Sequence, residues 1–128
     1  MTLNIFGVGT DIVKNSRIKK LIKNKKFINR IFTSSEIKDS KKINQKVLFF
    51  SKRFAAKEAF VKSLGTGFVH NINFKDINVS KKRSGKPYLT LSYKLKNILK
   101  KKLKLKKVKI FLSISDEREY SVAYVITQ

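Results

Sequence analysis

Gly7-Val8-Gly9-Thr10-Asp11-Ile12-Val13 and Arg53-Phe54-Ala55-Ala56-Lys57-Glu58-Ala59-Phe60, the latter running through Val61 into Lys62-Ser63-Leu64-Gly65-Thr66-Gly67, decide how this chain is read. The first stretch is a strand ending in a lone carboxylate. Its alternation puts Gly7, Gly9 and Asp11 on one face and Phe6, Val8, Thr10 and Ile12 on the other. The apolar second face is expected to be core. The first face has no side chain before Asp11, which leaves room for a ligand against the backbone. The second stretch reads as a helix. Phe50, Phe54, Val61 and Leu64 recur at helical spacing, and Gly65 stands where a C-cap belongs.

Working outward, Ile18, Leu21 and Ile22 among Arg17, Lys19, Lys20 and Lys23 predict a basic amphipathic helix. Thr33-Ser34-Ser35-Glu36 fits a capping box opening a short helix. Residues 38–46 read as a loop. Phe74 to Val79 and Tyr88 to Ser92 read as strands around the turn Lys81-Lys82-Arg83-Ser84-Gly85-Lys86-Pro87. Leu95, Ile98, Leu99 and Leu103 mark another helix with a lysine outer face, and two strands, around Ile110–Ser115 and Tyr120–Ile126, flank an acidic turn. The expected order is β-α-α-α-β-β-α-β-β. That order predicts an α+β fold, a largely antiparallel sheet packed with helices. Residues 1–128 are expected to form a single domain.

The chain carries 31 basic and 8 acidic residues, a net charge of +23. Lysine outnumbers arginine 26 to 5, while alanine, glycine and proline are scarce. An AT-rich genome imposes such a bias, so the charge by itself is a weak sign of nucleic-acid binding. Cysteine is absent, which rules out disulfides. No apolar run reaches 18 residues and no signal peptide is visible, so membrane association is not expected and the cytoplasm is the expected location.

With so few acids in the chain, Asp11 and Glu58 stand out. Two carboxylates with cations nearby suggest a divalent metal clamped onto a phosphate-bearing substrate. Glu58 and Lys62 lie four apart and share a helix face, which a simple surface ion pair would also explain. Arg53, Lys57 and Lys62 surround that one acid in sequence, and Gly65-Thr66-Gly67 follows with backbone amides and a hydroxyl suited to phosphate oxygens. Asp11 has an alternative as well, as the cap of a following helix. The sole histidine, His70, lies in a polar stretch and receives no role. Asp116, Glu117 and Glu119 read as a solvated turn.

Gly7–Val13 with Arg17-Ile18, Arg53–Phe60, Lys62–Gly67, Gly85-Lys86-Pro87-Tyr88 and Ser113–Asp116 followed by Tyr120 resemble, in order and spacing, the holo-[acyl-carrier-protein] synthases, the small type of 4′-phosphopantetheinyl transferase. The resemblance implies that fold and a magnesium-dependent reaction. The 4′-phosphopantetheine arm of coenzyme A passes to a serine of apo acyl carrier protein, and adenosine 3′,5′-bisphosphate leaves, in support of fatty acid biosynthesis. It implies Asp11 and Glu58 as metal ligands, Glu58 and Lys62 as catalytic residues, and Arg53, Lys62, Gly65, Thr66, Gly85, Lys86 and Pro87 as coenzyme A-binding residues. It implies Arg17 as a docking residue for the acidic carrier protein. It further implies a homotrimer with sites between subunits. The chain departs from the pattern at two places where many members carry histidine, here Phe111 and Ser115, so the proton acceptor is not identified by resemblance. The competing class is a small basic nucleic-acid-binding protein without enzymatic activity. It leaves Asp11 and Glu58 unexplained, because carboxylates repel a phosphate backbone, and nucleic acid is therefore not the expected partner.

Overall fold

The computed structural model describes residues 4–128. Strand β1 (Gly7–Lys14) leads into α1 (Asn15–Leu21), α2 (Lys25–Ile31), α3 (Ser34–Ser40) and the long α4 (Lys46–Leu64). A 3₁₀ turn (Phe74–Asp76), β2 (Ile77–Lys81), β3 (Pro87–Leu91), α5 (Tyr93–Lys102), β4 (Ile110–Asp116) and β5 (Tyr120–Thr127) complete the chain. Three strands form an antiparallel sheet in the order β1-β5-β4, and β2-β3 form a separate antiparallel hairpin. The expected α+β fold with antiparallel sheets is what forms. One helix exceeds the expected order: α2, seven residues long, with Asn24 as N-cap accepting from Lys26 N–H.

Helix α4 is the axis of the molecule. Thirteen of its nineteen residues are buried, so it is enclosed on nearly all sides and not merely along one stripe. Its small side, Ala55, Ala56 and Ala59, is completely buried, and the helix lies across β1 and β5. Its other side carries Phe50 and Phe54 into an aromatic cluster with Phe27 and Phe32, where the Phe32 and Phe50 rings are 4.6 Å apart. Each such ring contributes roughly 1.5–3 kcal/mol by leaving water. Gly65 ends the helix in the left-handed region at φ 75°, as its position predicts.

Strand β1 packs the opposite way to expectation. Gly9 and Val13 are buried, whereas Val8 and Ile12 are 52% and 63% exposed. The glycine face is the inner one, and α4 occupies the room those glycines leave. A Cβ at Gly9 would stand 1.9 Å from the Ala59 carbonyl oxygen, and one at Gly7 would stand 1.9 Å from that of Ser63. The backbone approached so closely is therefore approached by a helix and not by a ligand. Across the outer face, register aligns Val8, Ile126 and Phe111, and then Thr10, Tyr124 and Ser113. Phe6, Val8, Ile12, Phe111 and Tyr124 leave this face apolar and exposed.

Among the described residues, no helix is long and apolar enough to cross a membrane.

Candidate active site

Asp11 lies on the inner face of β1 three residues before the strand ends, and Lys14, not Asp11, is the N-cap of α1. The capping alternative is thereby removed. The carboxylate instead faces α4. Lys62 Nζ donates to Asp11 Oδ1 at 3.1 Å. Glu58 stands one turn earlier on the same helix face. Burial raises the Glu58 pKa first, and the charge of Asp11 raises it further, while Lys62 and Arg17 oppose. Asp11 is also raised, chiefly by burial, against Lys62 and Arg17. The same two cations thus act on both acids, and Asp11, Glu58, Lys62 and Arg17 form one electrostatic cluster.

Lys57 does not belong to this cluster. Five residues separate it from Lys62, a turn of roughly 140° about the helix. It is wholly buried on the far side of α4, where its Nζ donates to Glu36 Oε1 at 2.6 Å, to the Ile31 carbonyl at 2.8 Å and to the Phe74 carbonyl at 3.2 Å. Arg53 is equally distant in role from Glu58. It is only 6% exposed, its guanidinium lies 3.5 Å from the Phe49 ring centroid, and its Nε has no partner among the described residues.

Arg53 instead lines a cleft of about 130 Å³ with Lys52, Val79, Lys81, Gly85, Pro87, Ile114 and Asp116. Three cations meet there against one exposed acid. The Lys81 pKa is lowered, mainly by the charge of Lys52, then by burial and Arg53. Three cations against one acid, with an unpartnered guanidinium N–H among the described residues, form a surface suited to an anion. Lys86 and Pro87 also border a neighbouring hollow of about 360 Å³ that includes Phe111 and Tyr124. Gly65 and Thr66 sit just beyond α4. A Cβ on Gly65 would meet nothing within 4 Å, so its positive φ, and not crowding, calls for glycine.

Within one chain the candidate residues therefore fall into two groups. Asp11, Glu58, Lys62 and Arg17 form the first, and Arg53, Gly85 and Pro87 the second. Lys52 and Lys81 had no distinguishing signal in a lysine-rich sequence. Phe111 and Ser115 lie on the outer sheet face, opposite in parity to Ile114 and Asp116. The histidine, His70, is exposed in the loop after α4.

A family model described as the 4′-phosphopantetheinyl transferase superfamily matches residues 7–125. A holo-[acyl-carrier-protein] synthase of Pelagibacter ubique is 56% identical over 126 residues, covering 98% of each chain. Among solved structures, the holo-[acyl-carrier-protein] synthase of Neisseria meningitidis superposes with a TM-score of 0.88 at 34% identity, covering 98% of this chain and 99% of the other. That of Bacillus anthracis, solved in complex with CoA (3′,5′-ADP), gives 0.80 at 35% identity and covers 96% of each. The fold is that of the phosphopantetheinyl transferases, and the chain is an enzyme of the transferase class. It belongs to the holo-[acyl-carrier-protein] synthase family of that superfamily.

Proposed function

We propose that this chain transfers the 4′-phosphopantetheine arm of coenzyme A to a serine of apo acyl carrier protein, with magnesium, in the cytoplasm and in support of fatty acid biosynthesis. The observation that carries this reading is the convergence of Asp11 and Glu58 beside Lys62 at the end of α4. The serine oxygen forms a bond to the phosphorus that bears pantetheine. The bond from that phosphorus to the bridging oxygen breaks, and adenosine 3′,5′-bisphosphate leaves with the electron pair.

Asp11 and Glu58 fit a hard divalent cation. They offer oxygen donors only, and among the described residues no third histidine, cysteine or acid groups with them. Magnesium uses one or two carboxylates and completes its shell with water and phosphate oxygens. When bound, it supplies Lewis-acid neutralisation of the pyrophosphate. Lys62, held by Asp11 and 54% exposed along its side chain, is placed to add a second positive charge to the leaving phosphate. Gly65, whose N–H closes α4 on the Lys62 carbonyl, and Thr66, whose exposed hydroxyl donates to the Gly67 carbonyl, extend this lobe. Arg53, Lys52 and Lys81, with Gly85, Lys86 and Pro87, provide the anion-binding lobe for the nucleotide end. No imidazole is available at Phe111 or Ser115, so the proton of the serine passes to a carboxylate, Glu58, or to water held by it.

The two lobes of one chain are unjoined, and the outer sheet face is apolar and exposed. Both facts support a homotrimer in which neighbouring chains complete each other's sites and bury Phe6, Val8, Ile12, Phe111 and Tyr124. Residues 1–128 act in it as one domain. Arg17, close to the carboxylates on the exposed side of α1, is placed to meet the acidic carrier protein at the reaction centre.

Mixing the protein with coenzyme A, magnesium and apo carrier protein tests the proposal. The carrier is expected to gain the mass of the arm, and the gain is expected to vanish with a chelator. An unmodified carrier, with a melting temperature raised by oligonucleotide and not by coenzyme A with magnesium, overturns it in favour of a nucleic-acid-binding protein.

A further inference from the structure

The hairpin β2-β3 shares no backbone ladder with the three-stranded sheet. A lone two-stranded hairpin is marginal in water and needs an anchor. Its apolar contribution, Ile77 and Val79, is buried in the core, but apolar packing is non-directional and tolerates sliding. Two directed links join it to α3: Thr33 Oγ1 donates to Asn78 Oδ1 in a part-buried bond, and the fully buried link is made by Glu36. Glu36 Oε2 accepts from the Val79 backbone N–H at 2.7 Å. The other oxygen of the same carboxylate accepts from Lys57 Nζ at 2.6 Å and from Thr33 N–H at 2.8 Å. Lys57 spends its remaining donors on Ile31 and Phe74 carbonyls. Every donor of that ammonium is thus matched, and α2, α3, α4, the 3₁₀ turn and β2 meet at one buried pair.

The position of this pair matters because of what its two ends carry. Lys57 lies between Arg53 and Glu58 on α4. Val79 lines the cationic cleft together with Arg53, Gly85 and Pro87. The helix forms one wall of the cleft and the hairpin another, with Ile114 and Asp116 of β4 completing it. A buried polar path between the walls runs Lys57 to Glu36 to Val79, beside the direct bond from Lys57 to the Phe74 carbonyl just ahead of β2.

We propose that Glu36 and Lys57 are a positioning pair that fixes the hairpin carrying Gly85-Lys86-Pro87 against the helix carrying Arg53, and so sets the width of the anion-binding lobe. The inference rests on the transferase reading for its kinetic consequence but not for its structural one. Buried ion pairs add little net stability compared with apolar replacements of equal volume. Their value is geometric, since an ion pair with fixed hydrogen bonds admits one arrangement. Neither side chain touches substrate.

Glu36→Gln is the informative variant. The amide keeps the size of the carboxylate but turns an N–H donor toward either Val79 N–H or Lys57 Nζ. Amide hydrogen exchange is expected to accelerate across Ile77–Leu91 while β1 and β5 stay protected. The Michaelis constant for coenzyme A is expected to rise about tenfold, with turnover within about twofold and the carrier-protein constant unchanged. Unchanged hairpin exchange overturns the proposal. So does a fall in turnover alone, which marks lost active fraction. Should Glu36→Gln not fold, the double variant Glu36→Leu with Lys57→Met decides. A folded double variant with a raised coenzyme A constant and a loosened hairpin supports positioning, and one that behaves as the parent in both shows that packing alone suffices. If the parent protein itself transfers nothing, the proposed function fails while hairpin exchange still decides the positioning role.

Discussion

Lys62 Nζ stands 3.1 Å from Asp11 Oδ1, so the lysine one turn beyond Glu58 ties helix α4 to strand β1 instead of pairing along its own helix. The i,i+4 arrangement with Glu58 places both side chains on one face, and the strand then claims the cation. Removing a group so placed is expected to act on the charge that develops during transfer. Lys62→Ala should lower turnover by about 100-fold, the scale of one electrostatic stabiliser, with a smaller rise in the Michaelis constant for coenzyme A. Steady-state kinetics at saturating magnesium measure the split, and a rise in the Michaelis constant alone reassigns Lys62 to uniform binding.

Asp11 and Glu58 both have pKa values raised in the folded chain, burial being the first cause and, for Glu58, Asp11 the second. Lys62 and Arg17 moderate both. The sign follows. A raised carboxylate favours the fold while protonated, and that contribution is lost as pH rises from the ordinary carboxylate range near 4 through the folded value. Asp76 contributes oppositely. Burial raises it, but bonds from Lys94, Asn73 N–H and Ser92, with the Lys94 charge, outweigh that and hold it low, so its contribution is lost on acidification. The difference between parent and Asp11→Asn isolates the site. Without metal, Asp11→Asn should gain melting temperature relative to the parent between pH 4 and pH 7, and magnesium should raise the parent alone at pH 7. Calorimetric scans with and without magnesium check both, and equal magnesium shifts in the two proteins remove Asp11 from the metal site. Transfer by Asp11→Asn or Glu58→Gln should fall by at least about 100-fold, as expected for loss of transition-state charge stabilisation.

Arg17 shares the electrostatic environment of the carboxylates and lies on the exposed side of α1 with Lys19 and Lys20, and Lys23 follows in the turn after it. Arg17→Glu should weaken carrier-protein binding about tenfold and steepen the loss with salt less than Lys23→Glu does, since a short-range contact is screened less than a diffuse field. Affinity titrations at two ionic strengths measure this. Equal, small losses in the two variants leave only the diffuse field.

Gly9 touches α4 directly. Gly9→Ala places a Cβ 1.9 Å from the Ala59 carbonyl oxygen and 2.6 Å from Ser63 N, all main chain that no rotamer relieves. A loss of about 3 kcal/mol or more is expected, at the upper end of overpacking. Urea unfolding measures it. A loss below about 1 kcal/mol, within the range of ordinary substitutions, means that α4 lifts off β1 easily.

Much of this fold was legible because local chemistry and tertiary packing agree. The Thr33–Glu36 capping box forms with both bonds, and Gly65 adopts the left-handed cap. The turn before Pro87 closes through Lys82 N–H to the Lys86 carbonyl. Helix α2 was missed because Phe27 and Ile31 supply a single i,i+4 repeat within seven residues, too short for a periodic signal. The faces of β1 were inverted for a different reason. Period two divides a strand into faces but does not say which is inner, and hydrophobicity misleads where a helix backbone packs on glycine and the apolar side is exposed. At the site, the shared face of Glu58 and Lys62 was readable, and the five-residue step to Lys57 already separates it from them. That Lys57 and Arg53 are buried was not readable, since a lysine-rich chain gives every cation the same solvated prior. Nor does spacing reveal that Glu36, beyond its role as a cap, receives two further donors, the Lys57 ammonium and the Val79 N–H, from two other segments.

The strand that carries Asp11 has one sheet neighbour, β5, and the register joins Gly7 to Thr127. During synthesis, at roughly 5–20 residues per second, β1 emerges early and its partner emerges among the last segments. Until then α4 has no β1-β5 ladder to receive Ala55, Ala56 and Ala59. Pairings so distant in sequence close slowly. The seating of Asp11 in its sheet thus depends on a pairing far removed from it in sequence, and a change that weakens β5 reaches the acid pair.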